Sequence, residues 1–196
     1  MGLKLESANT VIRGNFNPFI FSPEWLKAQG IWDTGEVHLA LGAVVDGIRF
    51  RSPDSRVEWQ VDNKSMAITS VSDSALLAGR VLRALPHTPV SAIGVNFTYA
   101  SEKWDSPTVP LLGEKSLTDL PQKWNPEIMS WSGVFHLEDI RIAMTVACGS
   151  EGISVTFNHH KSVVSATEAA AIADRFAMFR GESEKMISEI LGGNVE

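Results

Sequence analysis

The sequence predicts an α+β fold, with an antiparallel or mixed sheet and helices packed on one face. Three observations predict it. Val57, Trp59 and Val61 alternate with Glu58, Gln60 and Asp62, the period of a strand with one wet side. A strand–turn–strand–helix pattern occurs twice, as VEWQVDNKSMAITS then SALLAGRVLRAL over Val57–Leu85, and as ISVTFNHHKSVVS then TEAAAIADRFAMF over Ile153–Phe179. Both predicted turns carry a Lys-Ser step, at Lys64-Ser65 and Lys161-Ser162. Finally, Ile172, Phe176, Phe179, Ile187 and Ile190 recur at helical spacing, so a long helix is expected from about Thr167 to Leu191, bent at Gly181 and ended by Gly192-Gly193. The chain reads as one domain, 1–196, with two related halves, 1–100 and 134–196, joined by segment 101–133.

The elements follow in order. Thr10–Phe21 is apolar but broken by Gly14, Asn15 and Asn17-Pro18, so one or two short strands are expected. Ser22 before Pro23 is a helix start, and Gly30 ends that short helix. Val37–Val45 is a strand between Gly35 and Gly47, and Asp46-Gly47 turns it into Ile48–Arg51. After Val57–Val61, Asp62-Asn63-Lys64 turns the chain into Met66–Val71. Ser72 or Asp73 caps the next helix, whose apolar stripe is Leu77, Ala78, Val81, Leu82 and Leu85, with Arg80 and Arg83 outside. Pro86 and Pro89 stop it. Val90–Tyr99 is rich in β-branched and aromatic residues and reads as a strand.

Segment 101–133 differs. It holds Pro107, Pro110, Pro121 and Pro126 together with Trp104, Trp124 and Trp131, and reads as irregular apart from a short helix at Ser116–Lys123. Strands resume at Val134–Leu137, Ile140–Cys148 and Ile153–Phe157.

Several of these stretches resemble a sporadically distributed, uncharacterised bacterial protein family. They are the strand–turn–strand from Phe50 to Thr69, the helix and strand of Val81–Tyr99, and the C-terminal strand and helix of Ile153–Leu191. The chain departs from the family where an arginine would precede the aromatic of the middle strand, since Asn96 stands before Phe97. The resemblance implies an α+β fold and a bacterial or phage setting. It implies no activity and transfers no catalytic residue.

Composition narrows the function. The chain is 44% hydrophobic and 20% charged, an ordinary globular balance. A lone cysteine, Cys148, favours a reducing compartment, and no run is apolar enough for a signal peptide or membrane span, so a cytoplasmic protein is expected. Residues 1–100 are electrically balanced, and residues 101–196 carry the whole net charge of −6. Phosphate backbones need a cationic face, so nucleic acid is disfavoured as a partner.

No pattern names a reaction. His159-His160 lacks further ligands at metal spacing and reads as a solvated turn. Gly113-Glu114-Lys115-Ser116 ends like a phosphate-binding loop, but Val109 stands where the first glycine is required. Cys148 could pair with His136 or His159 as a nucleophile, though a small buried hydrophobe is the commoner role. Glu138-Asp139 marks a turn, and Asn96-Phe97-Thr98 is a sequon without meaning in a cytoplasmic strand. No catalytic residue, metal or cofactor is therefore expected. The leading feature is tryptophan, six in all, with Trp25, Trp32, Trp104, Trp124 and Trp131 in or beside irregular segments. Tryptophan is enriched in binding hot spots. Between residues 101 and 139 acids outnumber lysines, so Trp104, Trp124 and Trp131 with Glu114 and Asp119 suit a basic protein surface. The expected function is a non-enzymatic protein-interaction module, an accessory or inhibitor protein. The competing readings are a small-ligand binder whose tryptophan-rich loop closes over a sheet cleft, and an enzyme with unrecognised catalytic residues. Homodimerisation through the C-terminal helix or an open sheet edge is also open.

Overall fold

The alternation in Val57–Asp62 becomes a strand whose Val57, Trp59 and Val61 are buried while Glu58, Gln60 and Asp62 are not. The same division runs across the whole sheet. The computed structural model describes residues 2–32, 38–39, 47–52, 56–102, 128–149, 152–192 and 194–196.

The strands are β1 (Gly2–Gly14), β2 (His38–Leu39), β3 (Gly47–Ser52), β4 (Val57–Asp62), β5 (Ser65–Thr69), β6 (Val90–Ser101), β7 (Ile128–Leu137), β8 (Ile140–Gly149), β9 (Gly152–Ser162) and β10 (Asn194–Val195). The helices are α1 (Pro23–Ala28), α2 (Ser74–Ala84), α3 (Ala166–Ala173) and α4 (Phe176–Leu191). The sheet runs β2-β3-β4-β5-β1-β6-β9-β8-β7 with every neighbour antiparallel, and β10 adds to β1 in parallel. The long strands β1 and β6 lie side by side at its centre.

One face is the core. Ile12, Ile93, Val95, Phe97, Tyr99, Ile142, Met144, Val155 and Phe157 point to it from the central strands and are buried. Helices close it. The Thr10 hydroxyl donates to the Ser74 hydroxyl of α2 at 3.2 Å. The Phe176 ring of α4 lies 5.1 Å from that of Phe97. At the β3–β4 end, the rings of Phe50 and Trp59 stack at 5.8 Å, and Trp32 leans on both. Truncating a buried aromatic of this kind costs about 3–5 kcal/mol.

Local chemistry sets the helix starts. Ser22 accepts a hydrogen bond from the Trp25 amide at 3.1 Å ahead of Pro23, and Gly30 follows the helix at φ +62°. Ser165 accepts from the Glu168 amide at 3.1 Å, and the Glu168 carboxylate reaches back to the Val164 amide at 2.9 Å, a reciprocal cap. Asp73 occupies the α2 cap position without a side-chain cap bond, because its carboxylate accepts from the Ser72 hydroxyl.

Four expectations are corrected. Thr10–Phe21 is not one or two short strands, since β1 extends from Gly2 to Gly14, paired along its length with β6 and over Asn9–Arg13 with β5. Ile153–Ser165 is not a strand–turn–strand, because β9 runs unbroken from Gly152 to Ser162, held by β6 on one side and β8 on the other. The C-terminal helix is two helices, broken at Asp174-Arg175, and Gly181 lies within the second. The break is tied down by Arg83 of α2, which donates to Asp174 at 3.1 Å, and by Arg175, which donates to Glu138 at 3.1 Å. Segment 101–133 is partly strand, with β7 beginning at Ile128. The expected helix at Ser116–Lys123 and most of Val37–Val45 lie outside the described residues.

Candidate functional site

The second face of the sheet faces away from the helices. Its side chains are small or polar because they occupy the alternate positions of the same strands. One cross-strand row reads Thr69, Asn9, Asn96, Asn158, Ala143 and Val134. A second reads Ser7, Thr98, Thr156, Thr145 and Ser132. A third reads Val11, Gly94, His160, Arg141 and His136. The result is a floor with few tall side chains, on which another surface can come close to the backbone.

The floor is ordered by its own hydrogen bonds. The Asn96 amide group donates to Asn9 at 2.5 Å, and Asn158 donates to Asn96 in turn, so three carboxamides form a ladder across β1, β6 and β9. Ser132 and Thr145 hydroxyls bond at 2.9 Å across β7 and β8. Each carboxamide in the ladder still has donor or acceptor capacity for a partner.

Charge gathers toward one end. Arg13, Arg141 and His136 are exposed on this face, with His160 half-buried among them. Lys64 of the β4–β5 turn lies beside Arg13 along a cleft of about 510 Å³. Among the described residues no carboxylate reaches ion-pair distance of Arg13, Lys64 or Arg141, whereas Arg49 is paired with Glu58. Asp62, the nearest acid, is engaged locally: it accepts from the Lys64 and Ser65 amides at 2.7 Å and from the Ser65 hydroxyl at 2.9 Å. Burial alone would raise its pKa; those donors, together with the charge of Arg13, outweigh burial and hold it below the usual carboxylate range.

The residues singled out in the sequence fall elsewhere. Trp104, Trp124, Glu114 and Asp119 lie outside the described residues. Trp131 sits in β7, half-buried on the core side of the sheet, its ring 6.4 Å from Phe135 and over Gly133, where a Cβ would come within 2.8 Å of it. Trp131 therefore does not share a face with the asparagine ladder.

His159-His160 is not a solvated turn. The two residues sit within β9 and point to opposite faces, so His159 is only 1% exposed, between Phe97, Phe157 and Phe179. Cys148 is also not placed beside a histidine. His159 pairs with Ile142 in β8, so Cys148 lies six strand positions away, about 20 Å at strand rise. Burial pushes the Cys148 thiol pKa up, against thiolate formation. Among the described residues no cluster of three metal-ligating side chains exists, and no helix is long and apolar enough to cross a membrane.

Sequence reasoning expected a wet sheet face but missed the carboxamide ladder and the cleft on it. The polar half of each alternation was visible, but the register that lines up Asn9, Asn96 and Asn158 is not written in any one strand. No protein-family model matches the chain, and no curated protein matches it.

Proposed function

We propose that the chain is a non-enzymatic protein-interaction module that receives its partner on the open face of the sheet. The observation that carries this reading is the floor itself: six adjacent strands present small and polar side chains, ordered by a carboxamide ladder, with nothing among the described residues packed over them. A folded protein surface or an extended segment can lie on such a floor and hydrogen-bond to it. The partner carries acidic groups where it meets Arg13, Lys64 and Arg141. The acid excess over residues 101–139, with Trp104, Trp124, Glu114 and Asp119, suits basic groups on the same partner, on sequence grounds alone.

An accessory or inhibitor protein of a bacterial or phage cytoplasm fits this reading and the resemblance noted above. The strand order also supports two related halves, with bounds other than 1–100 and 134–196: β6 opens the second half instead of closing the first. In each, a long central strand (β1 or β6) is flanked by the last strand of a three-stranded unit (β3-β4-β5 or β7-β8-β9), and a helix follows. The equivalence then runs between β4-β5-α2 and β8-β9-α3.

The test is capture of a partner by the tagged chain from native lysate, compared with Ala143→Arg and Thr156→Arg, which plant long cations on the floor. A stoichiometric protein captured by the native chain and lost from both folded variants supports the reading. Equal capture by the variants places the interaction elsewhere, and absence of any stoichiometric protein overturns it.

A further inference from the structure

The cleft at the end of the open face is built from three separate pieces of chain. Arg13 and Gly14 end β1 and Asn15 follows them, Lys64 comes from the β4–β5 turn, Pro89 from the α2–β6 connection and Ser91 from the start of β6. Backbone bonds pin these pieces together: the Gly14 amide donates to the Lys64 carbonyl at 3.0 Å, and the Asn15 amide to the Pro89 carbonyl at 2.9 Å. The Ser91 hydroxyl donates to the Arg13 carbonyl at 3.4 Å. Gly14 sits at a register shift and fits only because it lacks a side chain, since a Cβ would lie 2.5 Å from the Pro89 carbonyl oxygen. The walls are thus held in place, and Arg13 and Lys64 line the cleft without an ion pair among the described residues, the Asp62 carboxylate that feels the charge of Arg13 being taken up by the Lys64 and Ser65 donors. The Asn15 carboxamide, exposed and without a hydrogen bond among the described residues, adds a donor at the same mouth.

We propose that this cleft binds a phosphate group, free or as the monoester of a small molecule, through the guanidinium of Arg13, the ammonium of Lys64 and the carboxamide of Asn15. A phosphate dianion carries a greater charge than a carboxylate and a third acceptor oxygen outside the plane of the other two, so it suits a guanidinium fork, an ammonium and an amide better than a carboxylate does. The cleft, about 510 Å³, is shallow and open to solvent, so the body of a monoester can extend outward from the phosphate. The inference rests on the cleft and not on the protein-binding reading, and either can fail alone.

The experiment is a titration of the isotope-labelled native chain with inorganic phosphate, a sugar phosphate and acetate, followed by amide shifts. Saturable shifts confined to Gly14, Asn15, Lys64 and Ser91 are expected with both phosphates, with acetate weaker by about tenfold or more. A sugar phosphate that binds more tightly than inorganic phosphate identifies a small-molecule monoester; equal affinities identify free phosphate. Arg13→Gln and Lys64→Gln should each weaken phosphate by about tenfold, while Lys185→Gln, which removes an exposed cation on α4 far from the cleft, leaves it unchanged. Shifts that stay linear and spread over all exposed basic residues, or unaltered affinity in both Gln variants, overturn the proposal.

Discussion

His159 of β9 and Phe179 of α4 stack with ring centroids 5.0 Å apart and planes 26° apart, and neither imidazole nitrogen meets a hydrogen-bond partner among the described residues. A neutral imidazole can stand in that apolar layer; an imidazolium is costly there, because only a weak pull from the Val95 backbone offsets its desolvation. Phe97 meets the ring edge-on from β6, Phe157 lies beside it in β9, and the Arg175 guanidinium sits 5.5 Å from the centre of Phe179. This contact ties α4 to the sheet and makes the attachment sensitive to acid.

Burial pushes the His159 pKa down from 6.5 to about 4, against a smaller upward pull from the Val95 backbone. Because the folded value lies below the unfolded one, the unfolded chain takes up the proton first. Stability is full above pH 6.5 and falls as pH drops toward 4, by about 3 kcal/mol over the window at about 1.4 kcal/mol per unit. Asp62 and Asp139 have lowered pKa values, so their contributions are lost only at lower pH. Thermal melts between pH 4 and 7 should show Tm declining in the native chain, with a much flatter profile in His159→Phe. Matching profiles would locate the acid sensitivity elsewhere.

Asn96 is the centre of the ladder, accepting from Asn158 and donating to Asn9. Asn96→Ala removes both bonds at once and leaves the outer carboxamides to water, since the row is only half-buried. The expected loss is about 1–2 kcal/mol, read from urea unfolding. Asn9→Ala should cost about half of that, and the double variant Asn9→Ala/Asn96→Ala little more than Asn96→Ala alone. Full additivity would mean that the ladder does not act as a unit.

Ser165 caps α3 and holds Glu168 in a position to reach Val164 and, at 3.6 Å, Lys161. Ser165→Ala should destabilise the chain by about 1 kcal/mol, and Ser165→Asp should restore most of the loss. A calorimetric scan distinguishes this from a wholly surface position, which would change Tm little.

The elements were legible where local chemistry decides them. Ser22-Pro23, the alternation of Val57–Asp62 and the stripe of α2 appear as the sequence predicts, because each is set within a few residues. β9 was misread because Asn158, His159 and His160 are turn-prone and polar by type, while their strand conformation comes from two neighbours far away in sequence. The break between α3 and α4 was hidden for a similar reason: Asp174 and Arg175 are acceptable in a helix, and it is their bonds to Arg83 and Glu138 that fix the turn. The floor and its cleft depend on register across six strands, so composition could show polar alternation but not which side chains meet.

Trp131 brings the sequence-level question of recognition against packing to one residue. It stands on the core side of an outer strand, half-buried, with Gly133 beneath its ring and Phe135 beside it. Packing of that kind argues for a structural share in its role, and Trp131→Ala should cost about 2 kcal/mol, below the range for a fully buried aromatic. Gly133→Val forces the ring off its seat, since even a Cβ there lies 2.8 Å from it. If the ring serves stability alone, both variants should lower the urea midpoint while leaving partner capture by the folded fraction intact. Loss of capture at unchanged stability in Trp131→Ala would instead assign the ring to recognition, and would extend the binding surface around the β7 edge to the helix side of the sheet.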